Sequence, residues 1–442
     1  MTGRVRRIII GGLAGIGCLG ISVLAQESLT LEAAIARGLA HSARLAELQA
    51  REAGADATVA GRAAATRPIV SAQAGYTRTN HVEEYSIVAP GQPPRVLYPD
   101  VPDNYRSRID LQWPIYTAGR ADALQRAALA ERQAAGEDLA AARADLVLEI
   151  TRAFWALVTA RDTERVLGGS LTSLDAHVGD LKTRLDQGLI SPHELLSAQA
   201  QRSRQRVASI EAAAARQTAE ADLRRLIGGD GGPILPVEKG AATVSTEEAS
   251  AEKVAAPVSR PERRALDQRL TAAREREIAI HATGRPQIFI GGGYDYARPN
   301  PRIFPRADRW EDSWDASVNV SWTLWDGGRR AAERAEAAAS ARALSARITE
   351  FDRQVTFEIE ARRLDVESSR AAIEAAREGI DAAVEARRVL GERYQAGVAT
   401  STDVLDAEVA VLQAELDRTR AVAAFRLAEA RLARAIGEPT KK

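Results

Sequence analysis

Two stretches of this chain alternate strictly between apolar and polar residues. Over 106–116, Ile109, Leu111, Trp113 and Ile115 share one face, with Arg108, Asp110 and Gln112 on the other. Over 314–324, Trp314, Ala316, Val318, Val320, Trp322 and Leu324 oppose Asp315, Ser317, Asn319 and Ser321. A period of two is that of a β-strand with one apolar and one polar face. Strands are therefore expected at 106–117 and 313–325. Each has a weaker alternating partner upstream, at 67–78 and 285–297, opened by Pro68 or Pro286. Loops rich in proline, tyrosine and charge (79–105 and 297–312) join the members of each pair.

After each second strand the period lengthens. No proline interrupts residues 120–186, a run long enough for roughly 100 Å of helix at about 1.5 Å per residue. Leu167, Leu171, Leu174, Val178, Leu181 and Leu185 step by four and three, the spacing of a coiled-coil seam. Val366, Ile373 and Ile380 keep a seven-residue step in the later run. Glycines 188 and 397 mark the turns of two helical hairpins, with tips expected at 187–192 and 396–401. A returning helix carries Leu405, Val409, Leu412 and Leu416 on its seam.

The same plan is written twice. A shift of 209 residues carries Trp113 onto Trp322, Gly119-Arg120 onto Gly328-Arg329, and Gly188 onto Gly397. It also carries Leu223-x-Arg225-x-Ile227-Gly228 onto Leu432-x-Arg434-x-Ile436-Gly437. Further upstream a shift of 218 aligns Arg67-Pro68 with Arg285-Pro286 and Gly75-Tyr76 with Gly293-Tyr294. Self-similarity at this scale indicates internal duplication. The expected organisation is a first repeat at 26–227, a connector rich in Gly, Pro, Ser and Thr at 228–258, a second repeat at 259–437 and a short tail at 438–442.

Aromatic residues are few but concentrated. Fourteen of the twenty fall in 67–116 and 285–325, and Tyr76, Tyr116, Tyr294, Trp314 and Trp325 sit near strand ends. Amphipathic rings there suit a bilayer interface, and strands of roughly ten residues are long enough to cross one. An ordinary soluble sheet core is the alternative. Four strands cannot close a barrel, and an open edge in lipid leaves backbone groups unsatisfied. If the strands span a membrane, several chains must share the barrel.

The first residues agree with export. Arg4, Arg6 and Arg7 precede the apolar run Ile8 to Leu24, and Val23-Leu24-Ala25 offers a small-residue cleavage site. The expectation is a signal peptide at 1–25; a lipidated Cys18 is the minor alternative. Gly15-x-Gly17-x-x-Gly20 imitates a dinucleotide fingerprint, but no strand precedes it. Composition narrows the rest. The 442 residues include 87 alanines, which favour long helices packed closely. Sixty basic residues balance sixty acidic ones, unlike the basic excess of a nucleic-acid binder. One cysteine and five scattered histidines leave no disulfide framework or metal motif. No cofactor, metal or catalytic set is expected, so the protein is read as no enzyme.

Together these features resemble the TolC-like outer-membrane efflux proteins over essentially the whole mature chain. The most specific stretches are Trp322-Thr323-Leu324-Trp325-Asp326-Gly327-Gly328-Arg329 and Arg393-Tyr394-Gln395-Ala396-Gly397, the latter running into Asp403-Val404-Leu405-Asp406-Ala407. Arg184-Leu185-Asp186-Gln187-Gly188-Leu189 matches the same hairpin in the first half, and Leu29-Thr30-Leu31-Glu32-Ala33-Ala34 is correctly placed. The resemblance implies a mixed α and β membrane protein, a homotrimer with a twelve-stranded barrel in outer-membrane lipid and a helical barrel crossing the periplasm. Its role would be the exit duct of a tripartite efflux or type I secretion system in a Gram-negative bacterium. Its partners would be a periplasmic adaptor and an inner-membrane pump. The alternative is a soluble periplasmic coiled-coil scaffold without a pore.

Candidate functional residues follow. Asp403 and Asp406 lie three apart on one helix face, and in a trimer would ring the narrow periplasmic end with six carboxylates. Such a ring favours cations, and mutual repulsion should raise some of its pKa values. The competing role is helix capping, since Thr400-x-x-Asp403 resembles a capping box. Glu194 holds the matching position in the first half, again within a capping pattern, Ser191-Pro192-His193-Glu194. By resemblance, Tyr394 helps hold the closed end, while a gate-locking arginine of some relatives is replaced by Ala399. Gly188, Leu189 and Ile190, with Gly397 and Val398, form hairpin tips that the resemblance assigns to adaptor docking; the turns alone would also explain the glycines.

Overall fold

The computed structural model describes residues 27–229, 233–237 and 260–437. The expected signal peptide, Cys18, most of the connector and the tail lie outside the described residues. The described chain falls into two compact units.

Among the described residues one unit comprises 42–149, 260–382 and 420–437. Its centre is an antiparallel sheet of β2 (Ile69–Arg78), β5 (Asp103–Tyr116), β7 (Gln287–Arg298) and β8 (Glu311–Ser321), in the order β2-β5-β7-β8. Among the described residues, β2 and β8 each have one neighbour and stand as open edges. β5 starts at Asp103, earlier than the alternation indicated, because its first residues pair with the far end of β2, Arg78 opposite Asp103. β8 stops at Ser321, short of 325. There Trp322 leaves the ladder and donates its indole N–H to the Gly284 carbonyl at 3.0 Å. Trp113 makes the corresponding bond to the Thr66 carbonyl at 3.1 Å. The register of β5 on β7 slips next to Pro114, whose missing N–H cannot serve the ladder. A small ribbon, β3 (Tyr85–Ile87) with β4 (Arg95–Tyr98), stands in the loop after β2.

Helices α2 (Ala43–Ala64) and α5 (Pro261–Ala282) belong to the same unit. Ser42 caps α2, its hydroxyl accepting from the Leu45 N–H at 3.3 Å. α5 lies against α3 (Arg120–Asp186) where Ala127 and Ala130 meet Ala272. Methyl groups allow the two backbones to approach. Ion pairs flank this contact: Arg126–Glu275 at 2.9 Å, Glu131–Arg276 at 3.0 Å, Glu137–Arg264 at 2.7 Å, and Asp138 with Arg269. Each partly exposed pair contributes about 1 kcal/mol or less, so they select register more than they add stability.

Among the described residues the other unit comprises 27–41, 150–229, 233–237 and 383–419. It holds α1 (Leu31–His41), α4 (Pro192–Ile227) and a parallel pair, β1 (Glu27–Leu29) with β6 (Ile234–Pro236). It also contains parts of α3, of α6 (Arg329–Gln395) and of α7 (Ser401–Ile436). Ile150, Phe154, Leu157 and Leu223 are fully buried. Lower on the seam, Leu174, Leu181, Ala198 and Leu405 form a second cluster that joins α3, α4 and α7. β6 is pinned on both sides of Ile234: its N–H donates to Glu220 Oε1 at 3.1 Å, and its carbonyl accepts from Arg161 at 2.9 Å. α3 and α6 are each 67 residues long, and α4 and α7 are each 36. Among the described residues no helix is long and apolar enough to cross a membrane.

Candidate functional site

In its middle the sheet is buried the wrong way round for a water-soluble core, while β2 along its whole length and β8 from Ala316 onward are exposed on both faces. Along β8, Trp314 is 74% and Val318 69% exposed, whereas Ser313 and Asp315 are half-buried. Along β7, Tyr294 and Tyr296 are exposed while Asp295, at 2%, and Ala297 are covered. β5 repeats this, with Ile109 and Leu111 exposed and Arg108 and Asp110 half-buried. A sheet facing water shows the opposite alternation. The continuous apolar face is the kind of surface that meets another protein or lipid. Aromatic rings border it. At one end Tyr76 lies 5.0 Å from Tyr105, Tyr105 5.8 Å from Trp310, and Trp310 stacks on Tyr296 at 4.9 Å. At the other end stand Trp113, Tyr116 and Trp322, all exposed.

The opposite face is ionic. Arg108 reaches Asp110 at 2.6 Å, Asp315 at 3.1 Å, and Asp295. Arg106 also bonds Asp295, at 2.6 Å, and Gln73 donates to Asp110 at 2.8 Å. The Arg108 guanidinium passes directly over Gly293, where any Cβ would collide with it. Glycine at 293 is thus what lets one arginine cross β7 to an acid on β8.

In the unit that holds the hairpin ends, the two tips are built alike. After α3, Gly188 adopts φ 73° and Gly397 after α6 adopts φ 75°, a left-handed conformation that favours glycine. The Gly188 N–H donates to the Leu185 carbonyl and the Leu189 N–H to the Arg184 carbonyl, both at 2.9 Å; Gly397 and Val398 do the same to Tyr394 and Arg393 at 3.0 and 2.9 Å. The next side chains stand free, with Leu189 68% and Val398 66% exposed. Ile190 differs: it packs inward against the Leu174–Leu181 cluster, and so offers less surface than its neighbour.

Both returning helices are capped by their acids. The Thr400 N–H and hydroxyl each donate to Asp403 at 2.8 Å, and the Asp403 N–H donates to the Thr400 hydroxyl at 3.2 Å. These bonds, the backbone one foremost, hold the Asp403 carboxyl below the usual carboxylate range. Repulsion between ringed carboxylates would act in the other direction, but it needs neighbouring chains. Glu194 accepts more weakly from the Ser191 N–H, at 3.4 Å. Asp406 is exposed one turn further on, beside the buried Leu405 and Ala407.

Tyr394 is the meeting point of the tip. The Arg184 guanidinium lies 4.8 Å from its ring centre, and the His177 ring is 6.2 Å away. Its hydroxyl is buried without a hydrogen-bond partner among the described residues. The His177 Nε2 lies 3.1 Å from the hydroxyl of the buried Ser401. Burial lowers the His177 pKa, with Arg184 acting in the same direction and Asp180 and Glu408 opposing it.

The model of the outer membrane efflux protein family matches this chain twice, over residues 34–229 and 255–438. The chain belongs to the outer membrane efflux protein family. Membership makes it an outer-membrane efflux protein, and the soluble-scaffold reading finds no support. Protein CyaE of Bordetella pertussis is 26% identical over 230 residues, a match spanning 50% of this chain and 47% of that protein. The outer-membrane channel OprN is similar in fold, with a TM-score of 0.76 at 20% identity, covering 92% of this chain and 90% of that one. The Vibrio cholerae outer membrane protein VceC gives 0.74 at 21% identity, covering 92% and 96%. In this efflux-family chain, the sequence pointed to Tyr394, Asp403 and the tips. It gave no sign of His177 and Ser401, which lie 224 positions apart, nor of Arg184 as the partner of Tyr394.

Proposed function

We propose that three copies of this chain close a twelve-stranded barrel in the outer membrane, continued by a helical barrel in the periplasm. The inverted burial of the sheet, with both edges open, carries this reading. Apolar side chains exposed on one face suit lipid, and charged ones covered on the other suit the wall of an aqueous duct. Open edges cannot remain unpaired in lipid, so the β2 edge of one copy pairs with the β8 edge of the next. The two halves of each chain derive from one duplicated unit, supported by the matching tryptophan bonds, equal helix lengths and equivalent tips. The duct is passive and performs no bond chemistry. Its periplasmic end is gated around Tyr394, Asp403, Asp406 and Glu194. The exposed tip residues Leu189 and Val398, with Gly188, Ile190 and Gly397 shaping the turns, dock an adaptor that links the duct to an inner-membrane pump.

Single-channel recording of the detergent-purified protein in a planar bilayer tests this. Small, cation-preferring currents are expected. A soluble elongated particle that never inserts would return the sheet to an ordinary core.

A further inference from the structure

The loop between β7 and β8 does not extend away from the sheet; it folds over the ionic face. Asn300 is buried, and its side-chain amide donates to the Glu311 carbonyl at 3.1 Å and to the Ser313 hydroxyl at 3.0 Å. Its own amide oxygen accepts from the Arg302 N–H at 2.9 Å. Arg302 then reaches back to Asp315, on the ionic face, at 2.8 Å. Ala297 lies beneath this cover, beside Pro299, Pro301 and Arg306, while Asp295 is held by the Arg106 and Arg108 side chains.

The loop's cations are unequally matched. Arg298 pairs with Asp308, Arg309 with Glu311 and Arg302 with Asp315. Arg306 meets a neutral group instead: it lies 4.9 Å from the Tyr98 ring centre and bonds the Tyr98 hydroxyl at 2.5 Å. Arg306 and Arg106 both line a cavity of about 310 Å³ between the loop and the sheet, with Gln73, Thr77, Asn104 and Pro299 around them. No carboxylate is among the lining residues. Gln73 is committed to Asp110 and the Asn104 amide to the Val101 and Pro102 carbonyls, and Arg106 bonds Asp295 through its Nε. The anion selectivity therefore rests on Arg306, whose own partner is neutral, aided by the remaining N–H groups of Arg106. The volume suits one functional portion of a drug-sized solute.

We propose that this cavity is an anion-binding site on the duct wall, where Arg306 and Arg106 hold a carboxylate, phosphate or sulfate group of a solute in transit. It rests on the reading of the ionic face as the duct lining. The site gives the conduit a second, positively charged contact, in the barrel section and separate from the acidic carboxylates of the hairpin tips.

The test is block of the full-length channel by tripolyphosphate, added to each side of the bilayer in turn. Wild-type channels are expected to be blocked from one side only. Arg306→Ala should require about tenfold more tripolyphosphate, the worth of one charge-assisted hydrogen bond, and Arg306→Lys should keep most of the block. Hexamminecobalt(III), a cation probe for the acidic end, should block wild type and Arg306→Ala equally, which shows that the variant channel is intact. Equal tripolyphosphate block of wild type and Arg306→Ala overturns the site, as does the absence of any block in conducting wild-type channels. If the wild-type protein forms no channels at all, the duct reading fails and the site falls with it.

Discussion

The guanidinium of Arg184 lies 4.8 Å from the centre of the Tyr394 ring, so the last turns of α3 and α6 meet through a cation–π contact. Such a contact contributes about 1 kcal/mol, small enough to be broken by a docking partner. Arg184→Gln and Tyr394→Leu should both increase open time in single-channel records. Tyr394→Phe keeps the ring and removes only a hydroxyl that has no partner among the described residues, so it should behave as wild type. If Tyr394→Phe opens the channel as Tyr394→Leu does, the hydroxyl and not the stacking closes it. Ala399→Arg, which places a cation at the tip beside Asp403, should lower open-channel current.

The low pKa of Asp403 makes a prediction about pH. A carboxyl held below its ordinary range by its own cap stays charged on mild acidification, so cation preference should persist there; a preference that fades on mild acidification would mean that repulsion between neighbouring chains outweighs the cap. Reversal potentials across a potassium chloride gradient measure this directly. Asp403→Asn with Asp406→Asn should reduce the preference at neutral pH. Unchanged selectivity in the double variant would remove the carboxylate ring and leave Asp403 only its capping role.

The lowered pKa of His177 has a consequence for stability, of the same sign as that of Asp403. Its folded pKa is lowered, so the fold has its full contribution above the unfolded value of about 6.5. That contribution is lost as the pH falls through the folded value, because the unfolded chain takes the proton more readily. Protection of the amides in residues 174–181 and 401–407, taken relative to the intrinsic exchange rate at each pH, should therefore fall between about pH 7 and about pH 5. In His177→Gln the pH dependence should flatten; an unchanged slope would assign it to other groups.

Leu181 is fully buried where α3 meets α4 and α7. Leu181→Ala should cost about 3 kcal/mol through lost contact and a residual cavity, measured by denaturant unfolding of the purified protein. Leu189→Asp, eight positions on and exposed, should leave that stability unchanged while abolishing capture of the adaptor.

On the sheet, Val318→Arg should prevent recovery of the protein in the outer-membrane fraction, since a cation on the lipid face of a barrel costs about 2–4 kcal/mol near the midplane. Asn319→Arg, one residue along and on the other face, should be tolerated. If both variants insert equally, the two faces are not divided between lipid and water.

The strands and the long helices could be read from the chain because their signals are local. Strict alternation marks β5 and β8, and the proline-free run 120–186 coincides with α3. Where a strand ends is not local: β8 stops at Ser321 because the Trp322 indole finds a carbonyl 38 positions earlier. Short elements such as β1 with β6 were hidden for the same reason, since three residues carry no period. At the tip, Asp403 and Thr400 are neighbours in sequence and showed their capping pattern, whereas His177 meets Ser401 only through the packing of three helices. The infolded β7–β8 loop was read simply as a charged, proline-rich connection. Its bonds run from Asn300 and Arg302 to strand residues whose accessibility depends on the loop itself.

The open edges at β2 and β8 make protein concentration a folding variable. In the proposed three-copy barrel a lone chain would have nowhere to satisfy its edge strands in lipid, so the smallest unit stable in the membrane would be the assembled ring. Damage to one copy is then not confined to that copy. In a cell making equal amounts of intact chain and a variant with a spoiled edge, only roughly one ring in eight would contain three sound subunits. Export would fail as a dominant trait, although the intact chain is still made.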